Sequence, residues 1–198
     1  MVVARVTDLT LVLGGHQSRS VLGPRARRED VALRRRRGGG GLVALRPGDL
    51  WVDWWFPAGD PRWSPDVGIS SRLVGGWWRE VLLARVAGDV REHEGRLEID
   101  PALAVMCFAG RGPGEILVDG RKAVGVTQWR VREGVFLSTV VLAHETRDVL
   151  AYLHYAPPGL EAALDHQTVA SLGLDAADVL AALSEISGGL APHQHAVP

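Results

Sequence analysis

The chain has 198 residues, a formal net charge of −1 and 46% hydrophobic residues, which is enough for one domain with a real core. Near neutrality excludes a whole-molecule field that would draw it to nucleic acid or a membrane surface, and no apolar run of about 18 residues predicts a membrane span. The start, "MVVARVTDLTLVLGG", lacks the basic leader of a signal peptide, and a single cysteine, Cys107, excludes an intrachain disulfide framework, so a cytoplasmic setting is expected.

Residues 9–13, "LTLVL", are apolar and bounded by glycines, which predicts a strand. Residues 25–37 carry seven arginines and lead into "RRRRGGGG". "LVAL" (42–45) and "LWVDWWF" (50–56) read as strands around the turn "RPGD". Ser64 is placed to cap a helix with Pro65 and Asp66 in its first turn. That helix is expected to run to about Val86, burying Leu73, Val74, Trp77, Val81 and Leu82, with Gly75-Gly76 as a weak spot. Residues 96–100 and 103–108 read as strands. "EILV", the turn "DG" at 119–120 and "RKAVGV" predict a β-hairpin, because Asp-Gly suits a type I′ turn. "VFLSTVVL" (135–142) reads as a strand. Residues 146–155 look helical, and 175–187 form an amphipathic helix stopped by Gly188-Gly189. Trp51, Trp54, Trp55, Trp77 and Trp78 read as core aromatics. Strands interleaved with a few helices predict an α+β fold, a mixed β-sheet with packed helices, in one domain over residues 1–190 with a loose tail at 191–198.

Lys122 is the only lysine among 22 basic residues. Arg presents a wide, permanently charged fork, whereas Lys is a compact point charge that can lose its proton. A site needing one charge on a small oxygen, or a titratable amine, would refuse Arg; a surface lysine in a hairpin is the plainer alternative. The glycines at 38–41 can expose successive backbone N–H groups to an anion with no side chain in the way. They read equally well as a flexible basic loop. Cys107 is either a small core residue or a thiol nucleophile served by a nearby positive charge. The histidines are scattered, no zinc spacing is present, and no metal site is expected.

In order along the chain, "LVLGGHQS" (11–18), "RRGGGGLV" (36–43), "CFAGRGPGEILVDGRKAVGVTQWR" (107–130), "GVFLSTVVL" (134–142) and "DHQTVASLGLDAADVLAAL" (165–183) resemble the biotin/lipoate A/B protein ligase family, which includes lipoate–protein ligases and octanoyl/lipoyl transferases. The resemblance implies a catalytic domain like that of biotin protein ligase, related to class II aminoacyl-tRNA synthetases. It implies attachment of a lipoyl or octanoyl group to the acceptor lysine of a lipoyl domain, in 2-oxoacid dehydrogenase complexes or the glycine cleavage H protein. Ligases of the family use ATP and Mg²⁺; transferases take the acyl group from acyl carrier protein through a cysteine. Carried onto this chain, Lys122 holds the acyl oxygen and phosphate, and Cys107 is a candidate nucleophile. Arg36, Arg37, Gly38, Gly39, Gly40, Gly41, Gly125 and Thr139 are candidate substrate-binding residues. The third motif reads "FLST" where the family has a His-Gly pair, and the aromatic-His-Asp stretch after the glycine loop is replaced by "ALRPGD". These departures leave a second reading: a catalytically silent relative that binds an acyl carrier or lipoyl domain.

Overall fold

The alternation of "LWVDWWFP" sets the layers. In the computed structural model, which describes residues 1–167, 172–190 and 193–197, this segment is strand β5 (Leu50–Pro57). Val52, Trp54 and Phe56 are fully buried on one face, while Trp51, Asp53 and Trp55 point to the other. The other strands are β1 (Val2–Val6), β2 (Thr10–Leu13), β3 (Ala32–Arg35), β4 (Val43–Leu45), β6 (Val90–Glu92), β7 (Ile116–Val118), β8 (Arg121–Val131), β9 (Gly134–Val141) and β10 (His193–Val197). The helices are α1 (Pro24–Arg28), α2 (Val67–Leu83), α3 (Leu160–Gln167) and α4 (Ala176–Ile186).

Among the described residues seven strands form one mixed sheet in the order β10-β1-β5-β9-β8-β7-β6, and β3-β2-β4 form a second. Two cores result. On one side of β5 and β9, Val52, Trp54, Val135 and Leu137 pack on Val74, Trp78 and Leu82 of α2 and on Val179 and Leu183 of α4. On the other, Trp51 and Val140 pack with Leu11, Leu13, Val43 and Leu45 of the small sheet and with Met106 and Phe108. The expected α+β fold, a mixed sheet with packed helices, is what the chain adopts. Among the described residues no helix is long and apolar enough to cross a membrane.

The Asp-Gly hairpin forms as read: Asp119 and Gly120 have φ of 51° and 76°, as a type I′ turn requires. The "RPGD" turn instead carries the chain from one sheet to the other, since β4 and β5 do not pair. The cap of α2 is Asp66, which accepts from the Ile69 amide at 2.8 Å; Ser64 sits upstream and accepts from the Asp66 amide. Trp78 rather than Trp77 is the fully buried tryptophan of α2. Gly75 is a contact rather than a weakness, because a Cβ there would lie 2.1 Å from the Gly114 carbonyl oxygen. Residues 96–108 are not strands. Asp100 accepts from the Ala102 amide and Pro101 follows it, so turn chemistry prevails over the apolar run and gives 3₁₀ turns at Pro101–Leu103 and Cys107–Ala109. The helical reading of 146–155 becomes a 3₁₀ segment, Arg147–Tyr152. Within the tail read as loose, β10 pairs in parallel with β1. Part of the last quoted segment, residues 168–171, lies outside the described residues.

Candidate active site

Lys122 owes its position to one extra residue in β8. Leu117 pairs with Lys122 but Ile116 pairs with Val124, so Ala123 is inserted as a bulge. Ala123 and Val124 both enter the core on the helix side, and Lys122 leaves on the side of Gly125. A Cβ on Gly125 would stand 3.4 Å from Lys122 Cε and 3.3 Å from Phe108 Cζ.

The Lys122 side chain is 3% exposed, and all its ammonium protons have acceptors. Nζ donates to the carbonyls of Cys107 (3.0 Å) and Gly110 (3.1 Å) and forms an ion pair with Glu115 Oε1 at 2.7 Å. It also lies 4.7 Å from the centre of the Phe108 ring. Glu115 is itself held: Oε1 accepts from the Val126 amide and Oε2 from the Gly112 amide at 2.7 Å. The sequence reading missed Glu115 as a partner. The signal was present in principle, since a buried lysine needs an acid and "GE" lies just before the hairpin.

The glycine loop is built by close approach. A Cβ on Gly38 would meet Thr127 Oγ1 at 2.4 Å, and one on Gly41 would meet the Met106 carbonyl carbon at 2.5 Å. Leu42 donates to the Val105 carbonyl and accepts from the Cys107 amide, which lays the loop along the segment that carries Cys107. The loop's carbonyls turn into the protein. Gly38 accepts from the Gly15 amide, Gly39 from Thr127 Oγ1, and Gly39 and Gly41 from Arg36 Nη2, each at 2.7 Å. Among the described residues the amides of Gly39, Gly40 and Gly41 donate to no protein acceptor.

Gly39, Gly40, Gly41, Cys107, Glu115 and Lys122 open on one cavity of about 380 Å³, whose apolar wall includes Val67, Leu97, Ile99 and Val126. Lys122, Cys107 and three of the four loop glycines are thus brought together. Gly125 packs beneath Lys122 and Phe108, and the other candidates lie elsewhere. Arg36 is buried and spends its guanidinium on the carbonyls of Val12, Gly39 and Gly41, so it shapes the loop. Arg37 lies over the Trp129 ring at 4.4 Å and, with Gly38, lines a second cavity. Thr139 faces the helix layer, donating to the Val52 carbonyl and accepting from Trp54 Nε1. Its neighbour Ser138 is the residue on the cavity face, because side chains alternate along β9.

Comparison with protein-family models and with curated proteins gives no match. Solved structures do match. A T. acidophilum protein assigned as a lipoate protein ligase, with bound lipoic acid, superposes with a TM-score of 0.66 at 16% identity, over 96% of this chain and 73% of that one. Lipoate-protein ligase A bound with ATP gives 0.65 at 18% identity, over 96% and 73%. The bi-partite lipoate protein ligase described with its E2 lipoyl domain from Thermoplasma acidophilum gives 0.65 at 15%, over 96% and 72%. The chain has the fold that these lipoate–protein ligases share.

Proposed function

We propose that the chain attaches a lipoyl or octanoyl group to the acceptor lysine of a lipoyl domain. One observation carries the reading: on this fold, a cavity joins unengaged loop amides and a buried lysine to an apolar wall suited to an acyl chain. As the acceptor amine attacks the acyl carbonyl carbon, negative charge grows on the acyl oxygen. Lys122 would stabilise that oxygen by exchanging one carbonyl partner for it, and the amides of Gly39–Gly41 would hold the head group. The amide bond forms as the acyl bond to its carrier breaks. The solved neighbours printed with lipoic acid, with ATP and with an E2 lipoyl domain support free lipoate and ATP as substrates and a lipoyl domain as partner.

A transferase version is favoured by a separate observation. Cys107 lines the same cavity, and its Sγ would stand 3.5 Å from a Cβ on Gly40. In that version its thiolate takes the acyl group from acyl carrier protein as a thioester before the lysine displaces it. Among the described residues no side chains are gathered to hold magnesium. Glu115, the one carboxylate lining the cavity, is held by Lys122, Gly112 and Val126, and no group of three metal-binding side chains gathers among the described residues. The ion would come with the nucleotide's phosphates.

Lys122→Arg should keep the fold by circular dichroism and lose transfer to an apo lipoyl domain by about 10²–10³-fold, the scale for removing one oxyanion donor. Wild-type transfer by the folded variant overturns the role of Lys122. Transfer that needs ATP and survives Cys107→Ala selects the ligase route. An octanoyl adduct on Cys107, formed without ATP, selects the transferase.

A further inference from the structure

The mouth of the cavity that holds Lys122 is apolar. Val67 and Leu97 line that cavity and are nevertheless 55% and 68% exposed, so they stand at its rim. Gly40 and Ala104, the other exposed residues of its lining, are small and uncharged. Val67 is the first residue of α2. Leu97 lies between His93 and Asp100, and its Cδ1 stands 3.7 Å from where a Cβ on Gly112 would be. That segment is braced on both sides of Leu97. The His93 amide donates to the Glu115 carbonyl at 2.8 Å, and the His93 carbonyl accepts from the Gly114 amide at 3.0 Å. The His93 ring donates through Nε2 to the Arg96 carbonyl at 2.8 Å, with Gly95 against the ring. Glu98 and Arg111 exchange backbone hydrogen bonds at 2.8 and 2.9 Å, and their side chains form an ion pair.

One apolar side chain in water is ordinary, but two that flank the entrance of one cavity on braced backbone mark a contact surface. The proposed reaction supplies the occupant. An extended lysine side chain reaches only about 6 Å from Cα to Nζ, at bond lengths of roughly 1.5 Å. An acceptor lysine whose amine meets an acyl group beside Lys122 must therefore bring its own backbone to the cavity mouth, and its neighbours onto Val67 and Leu97. We propose that Val67 and Leu97 are the docking rim for the lysine-bearing segment of the acceptor lipoyl domain, held by apolar contact. The proposal rests on the acyl-transfer reading and adds where the partner is recognised. Charge does not lead this contact, because Glu98 beside Leu97 is already paired with Arg111. The competing surface is the arginine-rich segment 25–37, where docking would weaken steeply with salt.

Titration of an isotope-labelled apo E2 lipoyl domain with the full chain, followed by NMR without ATP or acyl donor, reads docking alone. Shifts should centre on the acceptor lysine and its sequence neighbours and persist at roughly 0.5 M salt. Leu97→Asp should weaken binding about tenfold, and Val67→Asp by a similar factor, an acid in the first turn of a helix being compatible with the fold. Leu97→Met should keep most of the affinity. Damage to an acyl-chain wall would not change binding measured without an acyl donor. No binding by wild type, unchanged binding by both folded Asp variants, binding abolished by salt, or shifts remote from the acceptor lysine overturns the rim, even where wild type transfers the acyl group. A wild-type chain that docks the domain as described but modifies it from neither acyl source overturns the transfer reading and upholds the rim.

Discussion

Glu115→Gln is the sharpest test of how Lys122 is held. The substitution leaves an ammonium that is 3% exposed with no counter-charge, facing the carbonyls of Cys107 and Gly110 and a neutral amide oxygen. Removing one partner of a buried pair costs about 3–5 kcal/mol, because the other charge stays out of water uncompensated. Lys122→Met should cost a comparable amount, since Glu115 would keep its charge with only the amides of Gly112 and Val126. The double variant has no buried charge and should recover most of the loss, so the two sites should be coupled by roughly 3 kcal/mol or more. Urea unfolding read by the emission of the buried Trp54 and Trp78, checked by circular dichroism, gives the four stabilities. Single losses that sum to the double loss within about 0.5 kcal/mol would refute the reasoning, because exposed pairs behave that way.

Neighbouring glycines of α2 should respond in opposite senses. Gly75→Ala drives a Cβ into the Gly114 carbonyl and should destabilise by roughly 2 kcal/mol or more, whereas Gly76→Ala meets nothing within 4 Å and should stabilise by about 0.5–1 kcal/mol, both read by thermal unfolding. Thr139→Val should cost about 1–3 kcal/mol in urea unfolding, because Trp54 Nε1 and the Val52 carbonyl lose the Thr139 hydroxyl, and if the proposed acyl transfer holds, the folded variant should match wild type in it. For Asp53, burial raises the folded carboxyl above its ordinary value of 3.8, so the folded state binds the proton more readily than the unfolded one. Its stabilising contribution is present below pH 3.8 and is lost as pH rises through the raised value. Asp53→Asn should therefore be more stable than wild type at neutral pH, with the gain fading as the medium is acidified; a gain that grows on acidification would contradict the raised value.

Patterns of short range were legible in the chain itself. The strands read at 50–56 and 135–142, the Asp-Gly turn and the glycine pair after α4 depend on neighbours within a few residues, and they appear in the structure within a residue of where the sequence puts them. The lone lysine and the glycine run stood out by residue type, and they meet at one cavity. Three decisions needed partners far away in the chain. The bulge at Ala123 turns Lys122 to the side of Gly125, and nothing in "RKAVG" announces an inserted residue, because the register is set by how Ile116 and Leu117 pair. Arg36 belongs to the same run as Arg37, yet only packing of the loop against β2 and Thr127 turns its guanidinium inward while Arg37 stays on Trp129. Ser138 and Thr139 are adjacent hydroxyls, and which of them faces a cavity depends on which face of β9 the helices cover. The sequence by itself determined which chemistries were available and, where alternation or an Asp-Gly turn is strong, which segments extend, because those follow from side-chain type and local periodicity. Only the tertiary structure decided which groups are committed to one another and which remain open to a ligand, because burial and pairing are properties of neighbours that the chain brings together from a distance.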